Sequence, residues 1–215
     1  YHSNVHDTIK IQTLNLIVER SWDDRVWIKY NQFIHDYTKE KLAQQPFSTN
    51  EEENNALKRR WINFHGGALS NIGYALKDNG DFTGALEHYL KSLELTKGYD
   101  TKKNQATLMN NIGAVYNDQG NNKKALEYYF KSLKLNEEAG DKEGLAISLN
   151  NIGYFFVSQD ENTKALEYYE KSLKITEEIG HKGAIAHTLN NIGYVHKKQK
   201  NIAPALEYFK RSLSI

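Results

Sequence analysis

The sequence contains no cysteine. That excludes disulfides, thiol catalysis and cysteine-type zinc sites, and it leaves the compartment open, because such a chain suits cytosol and periplasm equally. Proline is nearly absent, with only Pro46 and Pro204 among 215 residues, a scarcity that fits a helix-rich protein. An excess of charge of one sign is also missing. The formal net charge is +1, so nothing at the level of the whole chain points to nucleic acid or an anionic membrane. No apolar run reaches the ~18 residues that a membrane-spanning helix needs. No secretory signal is present. The chain opens on Tyr1 and closes on Ile215 inside a predicted helix, so a longer parent protein is expected.

Catalytic signatures are lacking as well. There is no GxSxG, no Walker loop, no GxGxxG and no HExxH. Eight histidines occur (His2, His6, His35, His65, His88, His181, His187 and His196), but no predicted helix carries two at the i, i+4 spacing of a metal site. The acidic pairs Glu137-Glu138 and Glu177-Glu178 fall near predicted helix ends with lysine neighbours, not isolated in a pocket. The basic runs "KRRW" (58–61) and "HKKQK" (196–200) form no continuous stripe, and the second closes a helix where lysine favours the dipole. The reading is a non-enzyme without metal or cofactor, and without nucleic acid as a partner.

What is present is a repeat with a period of 40 residues. "LNNIGY" stands at 149–154 and again at 189–194, with "LSNIGY" at 69–74 and "MNNIGA" at 109–114. Asn71, Asn111, Asn151 and Asn191 share one register, and Gly73, Gly113, Gly153 and Gly193 another. An alanine follows each glycine after 12 residues (Ala85, Ala125, Ala165, Ala205), then an aromatic (Tyr89, Tyr129, Tyr169, Phe209) and a serine (Ser92, Ser132, Ser172, Ser212). The segments 121–135 and 161–175 agree at 11 of 15 places, far beyond chance.

Each unit holds two helical patterns. Leu145, Leu149, Ile152 and Phe156 recur at spacings of three and four, as do Ala165, Tyr169, Ser172 and Leu173. The turns between them ("DNGD", "DQGN", "SQDE", "KQKN") are long enough only to join antiparallel neighbours. The glycine has a packing reason: without a side chain it admits the partner helix, and the alanine opposite does the same. One hairpin cannot bury both faces, so hairpins must stack.

The glycine, the alanine twelve residues on and the aromatic four residues after that resemble the tetratricopeptide repeat. The usual unit of that family is ~34 residues, whereas this one is longer. The family's proline after the second helix is replaced by Lys97, Glu137 and Glu177, and its first-helix tryptophan by Leu69, Met109, Leu149 and Leu189. The resemblance implies an all-α fold, a right-handed superhelical stack of antiparallel helix hairpins. Residues 51–215 then make four repeats, about 51–100, 101–140, 141–180 and 181–215. Residues 1–50 lie outside the pattern and are expected to form a degenerate hairpin capping the array. Within them 7–20 is amphipathic, 22–42 reads as a second helix, and Trp22 and Trp27, with Trp61 nearby, fill the cap's core. A third helix is expected over 51–78, opened by a Ser48–Glu51 capping box. The last predicted helix would leave an apolar face open, so self-association through this end is expected.

In a tetratricopeptide stack the first helices line the concave side. Each asparagine two residues before the glycine lies about 200° from it around the helix and should face the groove. This places Asn71, Asn111, Asn151 and Asn191 in one row and Ser70, Asn110, Asn150 and Asn190 in a second. An amide both donates and accepts, so a ladder of amides can pair with the backbone of an extended peptide, which is the role the resemblance implies. The same amides could instead bond to the neighbouring repeat and rigidify the stack. Tyr74, Tyr154 and Tyr194 follow the glycines, with Ala114 the exception, and Lys77, Asn117, Lys197 and Lys198 stand a turn on. The two-carboxylate clamp of chaperone-binding relatives is missing, because its places hold Gly67, Thr107, Ile147 and His187. Of these, His187 stands on the predicted groove face.

The expected function is protein or peptide binding. The N-terminal segment followed by long "LNNIG" units is similar to the sensor regions of bacterial two-component histidine kinases. That resemblance implies a periplasmic or extracytoplasmic position, with a membrane reached only through segments outside this sequence. The alternatives are a structural dimerisation scaffold and a cytoplasmic regulator.

Overall fold

The computed structural model describes residues 7, 9–14, 24–44, 46–99 and 101–215, and every element found there is a helix. The chain divides into two compact units, Tyr1–Thr101 and Lys102–Ile215.

In the first unit, residues 9–14 are helical, followed by α1 (Asp24–Ala43), α2 (Glu51–Asp78) and α3 (Phe82–Thr96). Trp22 and most of the predicted first helix lie outside the described residues. Helix α2 packs against both α1 and α3. Its start differs from expectation. Asn50, not Ser48, is the N-cap, its side-chain oxygen accepting from Glu53 N at 3.0 Å. Asn50 directly precedes the first helical residue, so it alone is placed to reach the third amide. Ser48 instead donates to the Glu53 carboxylate and accepts from Asn50 N. Trp61 is fully buried with Ile11, Ile34, Phe47 and Ala68, while Trp27 is half-buried with its ring edge on Tyr74 at 5.9 Å. His65 is buried beside them, stacked on His35 with ring centroids 4.6 Å apart and hydrogen-bonded through Nδ1 to Thr38 Oγ1 at 2.8 Å.

The second unit is three hairpins in sequence: α4 (Lys102–Asp118) with α5 (Asn122–Ala139), α6 (Lys142–Ser158) with α7 (Asn162–Ile179), and α8 (Lys182–Lys198) with α9 (Ile202–Leu213). Helix α6 also packs on α5, and α8 on α7, so the hairpins stack.

The repeated residues are what close each hairpin. The rings of Tyr129, Tyr169 and Phe209 lie against Gly113, Gly153 and Gly193, where a Cβ would stand 2.6–2.9 Å from a ring carbon. The serine makes the same bond each time: Ser132 donates to Ala106 O at 2.7 Å, Ser172 to Ala146 O at 2.9 Å and Ser212 to Ala186 O at 2.8 Å. In the first unit Ser92 donates to Gly66 O at 2.7 Å. A serine here joins the two helices of a hairpin without the bulk that would separate them. Helix α9 carries the apolar face expected from sequence. Only Ala205 of α9 is buried, while Ile202, Leu206 and Leu213 are exposed. Among the described residues no helix is long and apolar enough to cross a membrane.

Candidate functional site

The asparagines of the second unit divide into two groups that their shared spacing does not reveal. Those in the second row do not stand open to the groove, Asn190 excepted. Asn110 is 6% exposed and donates from Nδ2 to Ser148 Oγ at 3.1 Å. Asn150 is 9% exposed and donates to Thr188 Oγ1 at 3.0 Å. Asn190 is exposed. The correction has a geometric reason. A residue three before the glycine lies about 300° round the helix, only ~60° from the packed face, so it meets the next hairpin.

The first row is half-buried throughout. Asn191 donates to Asn150 Oδ1 at 2.8 Å, extending the chain of bonds that links α6 to α8. In the first unit Asn71 donates to Asn31 Oδ1 at 2.8 Å. The side chains of Asn111 and Asn151 make no hydrogen bond among the described residues. The unit thus holds committed amides (Asn110, Asn150, Asn191) next to amides with capacity left over.

Tyr74, Tyr154 and Tyr194 project from their helices, each more than half exposed. Burial pushes the hydroxyls of Tyr129 and Tyr169 up, away from ionisation. Lys197 is exposed, whereas Lys198 is held by Val157 O at 3.0 Å and Asp160 at 2.5 Å. Asn117 accepts from Ser158 Oγ at 3.3 Å.

Asn150 and Asn151 line a pocket of about 210 Å³ between α6 and α8, floored by α7. Ala146, Ile147, Ala184 and Ile179 supply most of its apolar wall, and Glu143, His181 and His187 also line it. Sequence reasoning singled out His187, weighed His181 only as one of eight histidines and noticed Ile147 only as a missing clamp residue; it passed over Glu143 and Ile179.

A comparison with the cleft one repeat earlier explains the opening. There Asn136 reaches across from α5 and donates to Ser148 Oγ at 2.9 Å. It fits because Gly144 has no side chain, and a Cβ at that position would lie 2.5 Å from Asn136 Oδ1. In the next repeat those places hold Thr176 and Ala184. The alanine methyl occupies the room an amide would need, and Thr176 turns its hydroxyl back to Leu173 O at 2.9 Å. The cleft is therefore left unfilled. The paired changes Asn136/Thr176 and Gly144/Ala184 are visible when the repeats are aligned, and they are the signal that would have found the pocket.

The mouth of the pocket differs in charge as well. In the earlier repeat Lys103 pairs with Asp141 at 3.2 Å, and Glu143 and His181 stand in the corresponding places, Nε2 lying 3.7 Å from Oε1. His181 is also the N-cap of α8, its Nδ1 accepting from Ala184 N at 3.1 Å. Among the described residues no group of side chains could hold a metal ion.

A sequence model of the tetratricopeptide repeat matches residues 66–138 and 144–215. No curated protein matches the chain. Among solved structures it is similar to BtubC (BKLC) from P. vanneervenii, at 18% identity and a TM-score of 0.68 over 99% of this chain and 84% of that one. It is similar to aspartyl phosphate phosphatase F from Bacillus subtilis, at 14% identity and 0.66, over 88% of this chain and 50% of that one. A third is the Rap conjugation gene regulator of the plasmid pLS20, solved in complex with a Phr peptide, at 14% identity and 0.66 over 98% of this chain and 59% of that one. At such identities the likeness is one of fold, and the chain spans 50% and 59% of the last two proteins.

Proposed function

Because the chain belongs to the tetratricopeptide repeat family, we propose that it is a binding module for an extended peptide or an unfolded protein segment, seated along the first helices of the second unit. The observation that carries this reading is the state of Asn151. It lies at the pocket, half-buried, its side chain making no hydrogen bond among the described residues, next to an Asn150 whose amide both donates and accepts. An amide held in place with its donor and acceptor unspent suits a peptide backbone, which offers one of each per residue. Tyr154 and Tyr194 add exposed aromatic area at low entropy cost, and Lys197 adds a cation for a carboxylate. The regulator solved with its Phr peptide shows that a fold of this kind takes up a peptide in that protein. Asn71 and Tyr74 would serve the first unit alike, although Asn71 is already bonded to Asn31. No chemical step is assigned to this chain.

The test is a peptide selection on the wild type, repeated on Asn111→Ala/Asn151→Ala. Binding is expected to fall while the melting temperature holds. If the variant keeps both stability and affinity, the amides are not the peptide's partners.

The finer reading, a sensor region of a bacterial two-component histidine kinase outside the inner membrane, rests on the sequence resemblance alone. Reading the gene on both sides of this segment tests it: an export signal before it and a transmembrane helix with kinase motifs after it are the expected result. Self-association through α9 belongs with the scaffold alternative, and the exposed Ile202, Leu206 and Leu213 support it. Light scattering at high concentration checks it, a monomer counting against it.

A further inference from the structure

We infer that the pocket between α6 and α8 receives one aliphatic side chain of the bound peptide, and that Glu143 at its mouth selects a cationic residue beside it. This rests on the peptide-binding reading above and specifies the class of peptide.

Size comes first. Pockets that hold whole drug-sized ligands run to roughly 300–1,000 Å³, and this one, at about 210 Å³, is smaller. It suits a single side chain of a longer ligand.

Polarity comes second. Ala146, Ile147, Ile179 and Ala184 present hydrocarbon. The hydroxyls that line the pocket are already turned to backbone: Thr176 donates to Leu173 O and Thr188 to Ala184 O, each at 2.9 Å. Asn150 spends its donor on Thr188 and its acceptor on Asn191. The one unspent amide in the lining, Asn151, is taken by the peptide backbone in the reading above, so a polar side chain entering here would lose its water and find few partners, which disfavours it. An aliphatic one loses nothing.

Charge comes third. Glu143 is the one acid lining the pocket, and half of its side chain is exposed. Its only ion-pair partner among the described residues is His181, at 3.7 Å, too far for a hydrogen bond. His181 accepts the Ala184 amide through Nδ1, so only Nε2 is left to face Glu143. Glu143 is thus the one carboxylate at the mouth, and no lysine or arginine lines the pocket to cancel it. In the preceding repeat the equivalent Lys103–Asp141 pair cancels its own charge. Only the later cleft combines an open apolar pocket with an uncompensated carboxylate.

The experiment screens an array of short linear peptides of randomised sequence against the wild type, Glu143→Lys and the double variant Thr176→Asn/Ala184→Gly. The double variant rebuilds the closed cleft of the preceding repeat. Wild-type binders are expected to share an aliphatic residue with Lys or Arg next to it. Truncating that residue to Ala should weaken binding about tenfold, as burial of one such side chain implies. Glu143→Lys should cost about threefold and reverse the neighbour preference from Lys to Glu, in line with an exposed pair. The double variant should keep its helix content and lose the aliphatic preference. Glu143 is exposed, so its variant is expected to fold and keeps the test decisive even if the double variant does not. Binders that show no aliphatic preference, or a neighbour preference unmoved by Glu143→Lys, overturn this inference and leave the peptide-binding reading standing. An array with no wild-type binder overturns both.

Discussion

Replacing Gly153 by alanine tests the reasoning that ties the repeat's spacing to its packing. In a helix that exposes the site to solvent, this change is favourable by up to ~1 kcal/mol, because glycine gives up more backbone freedom on folding. Here the new Cβ would lie 2.6 Å from Tyr169 Cε1, 2.7 Å from Cδ1 and 3.1 Å from Cγ. Carbon atoms in ordinary contact stand roughly 3.5–4.0 Å apart, so about 1 Å must be opened along one edge of the ring. Tyr169 is 2% exposed and belongs to the same core cluster as Phe155, Phe156 and Ile152, which leaves it nowhere to go. Overpacking of this kind costs about 1–3 kcal/mol. The crowding is at the upper end of what such cores tolerate, so it outweighs the propensity gain, and a net loss of roughly 2 kcal/mol is expected. The control is Gly67→Ala. Gly67 is exposed, also inside a helix, and a Cβ there meets nothing within 4 Å, so a gain of up to ~1 kcal/mol is expected. Urea unfolding followed by circular dichroism reads both. With a slope of about 1–3 kcal/mol/M, the Gly153→Ala midpoint should fall by about 1 M and that of Gly67→Ala should rise slightly. Equal shifts in the two variants, or a Gly153→Ala protein as stable as wild type, would refute the close-approach account.

Lys200 sits at φ +62° where the first two turns have Gly80 and Gly120, so Lys200→Gly should stabilise the second unit by about 1 kcal/mol in a thermal melt. Asp160→Gly, at φ +60°, should gain less, because it also removes the partner of Lys198. Burial, with the stacked His35 adding to it, pushes His65 down to about 4 from an ordinary value of 6.5. The unfolded chain then binds the proton more readily, so stability is intact above pH 6.5 and is lost as pH falls towards 4. The full loss is about 3 kcal/mol, and urea midpoints across that range, flattened in His65→Leu, check it. Asn150→Ala removes the partner of both Thr188 and Asn191 and should cost about 1–3 kcal/mol. Asn151→Ala should leave the stability read by urea unfolding within about 0.5 kcal/mol of wild type and act on binding alone.

The hairpins were legible because their signals are local and repeated. Gly, Ala, aromatic and Ser recur at fixed distances within a unit of 40 residues, and each plays the same packing part wherever it recurs. The fate of the asparagines was not legible in that way. Whether Asn110 or Asn150 turns inward depends on a hydroxyl 38 residues further on, Ser148 or Thr188, supplied by the next hairpin. Helical angles alone separate a residue two before the glycine from one three before it by only ~100°, enough to move it from groove to interface. The cap of α2 was misplaced by two residues for a similar reason. Ser48 and Asn50 both suit the role, and only the true first helical residue decides between them. The pocket depends on two small exchanges between repeats, Asn136 for Thr176 and Gly144 for Ala184. Periodicity averages over a detail of that size.

The two adjacent asparagines of α6 explain why a helix should carry such poor helix formers side by side. Asn costs a few tenths of a kcal/mol relative to alanine in a helix interior. Asn150 offsets that through two hydrogen bonds that join α6 to α8, the helices on either side of the pocket. Those bonds fix the spacing of the pocket's walls before any ligand arrives, and preorganisation of this sort lowers the cost of binding. Asn151 gains nothing comparable within the described structure, which is why the proposed peptide contact is assigned to it. The division also separates what can change from what cannot. The ladder needs an amide at 150 and a hydroxyl at 188, whereas the pocket's size is set by residues 176 and 184 and its charge by residue 143. On the proposed reading, the preferred peptide is changed at 143, 176 and 184 while the ladder that joins α6 to α8 is left untouched.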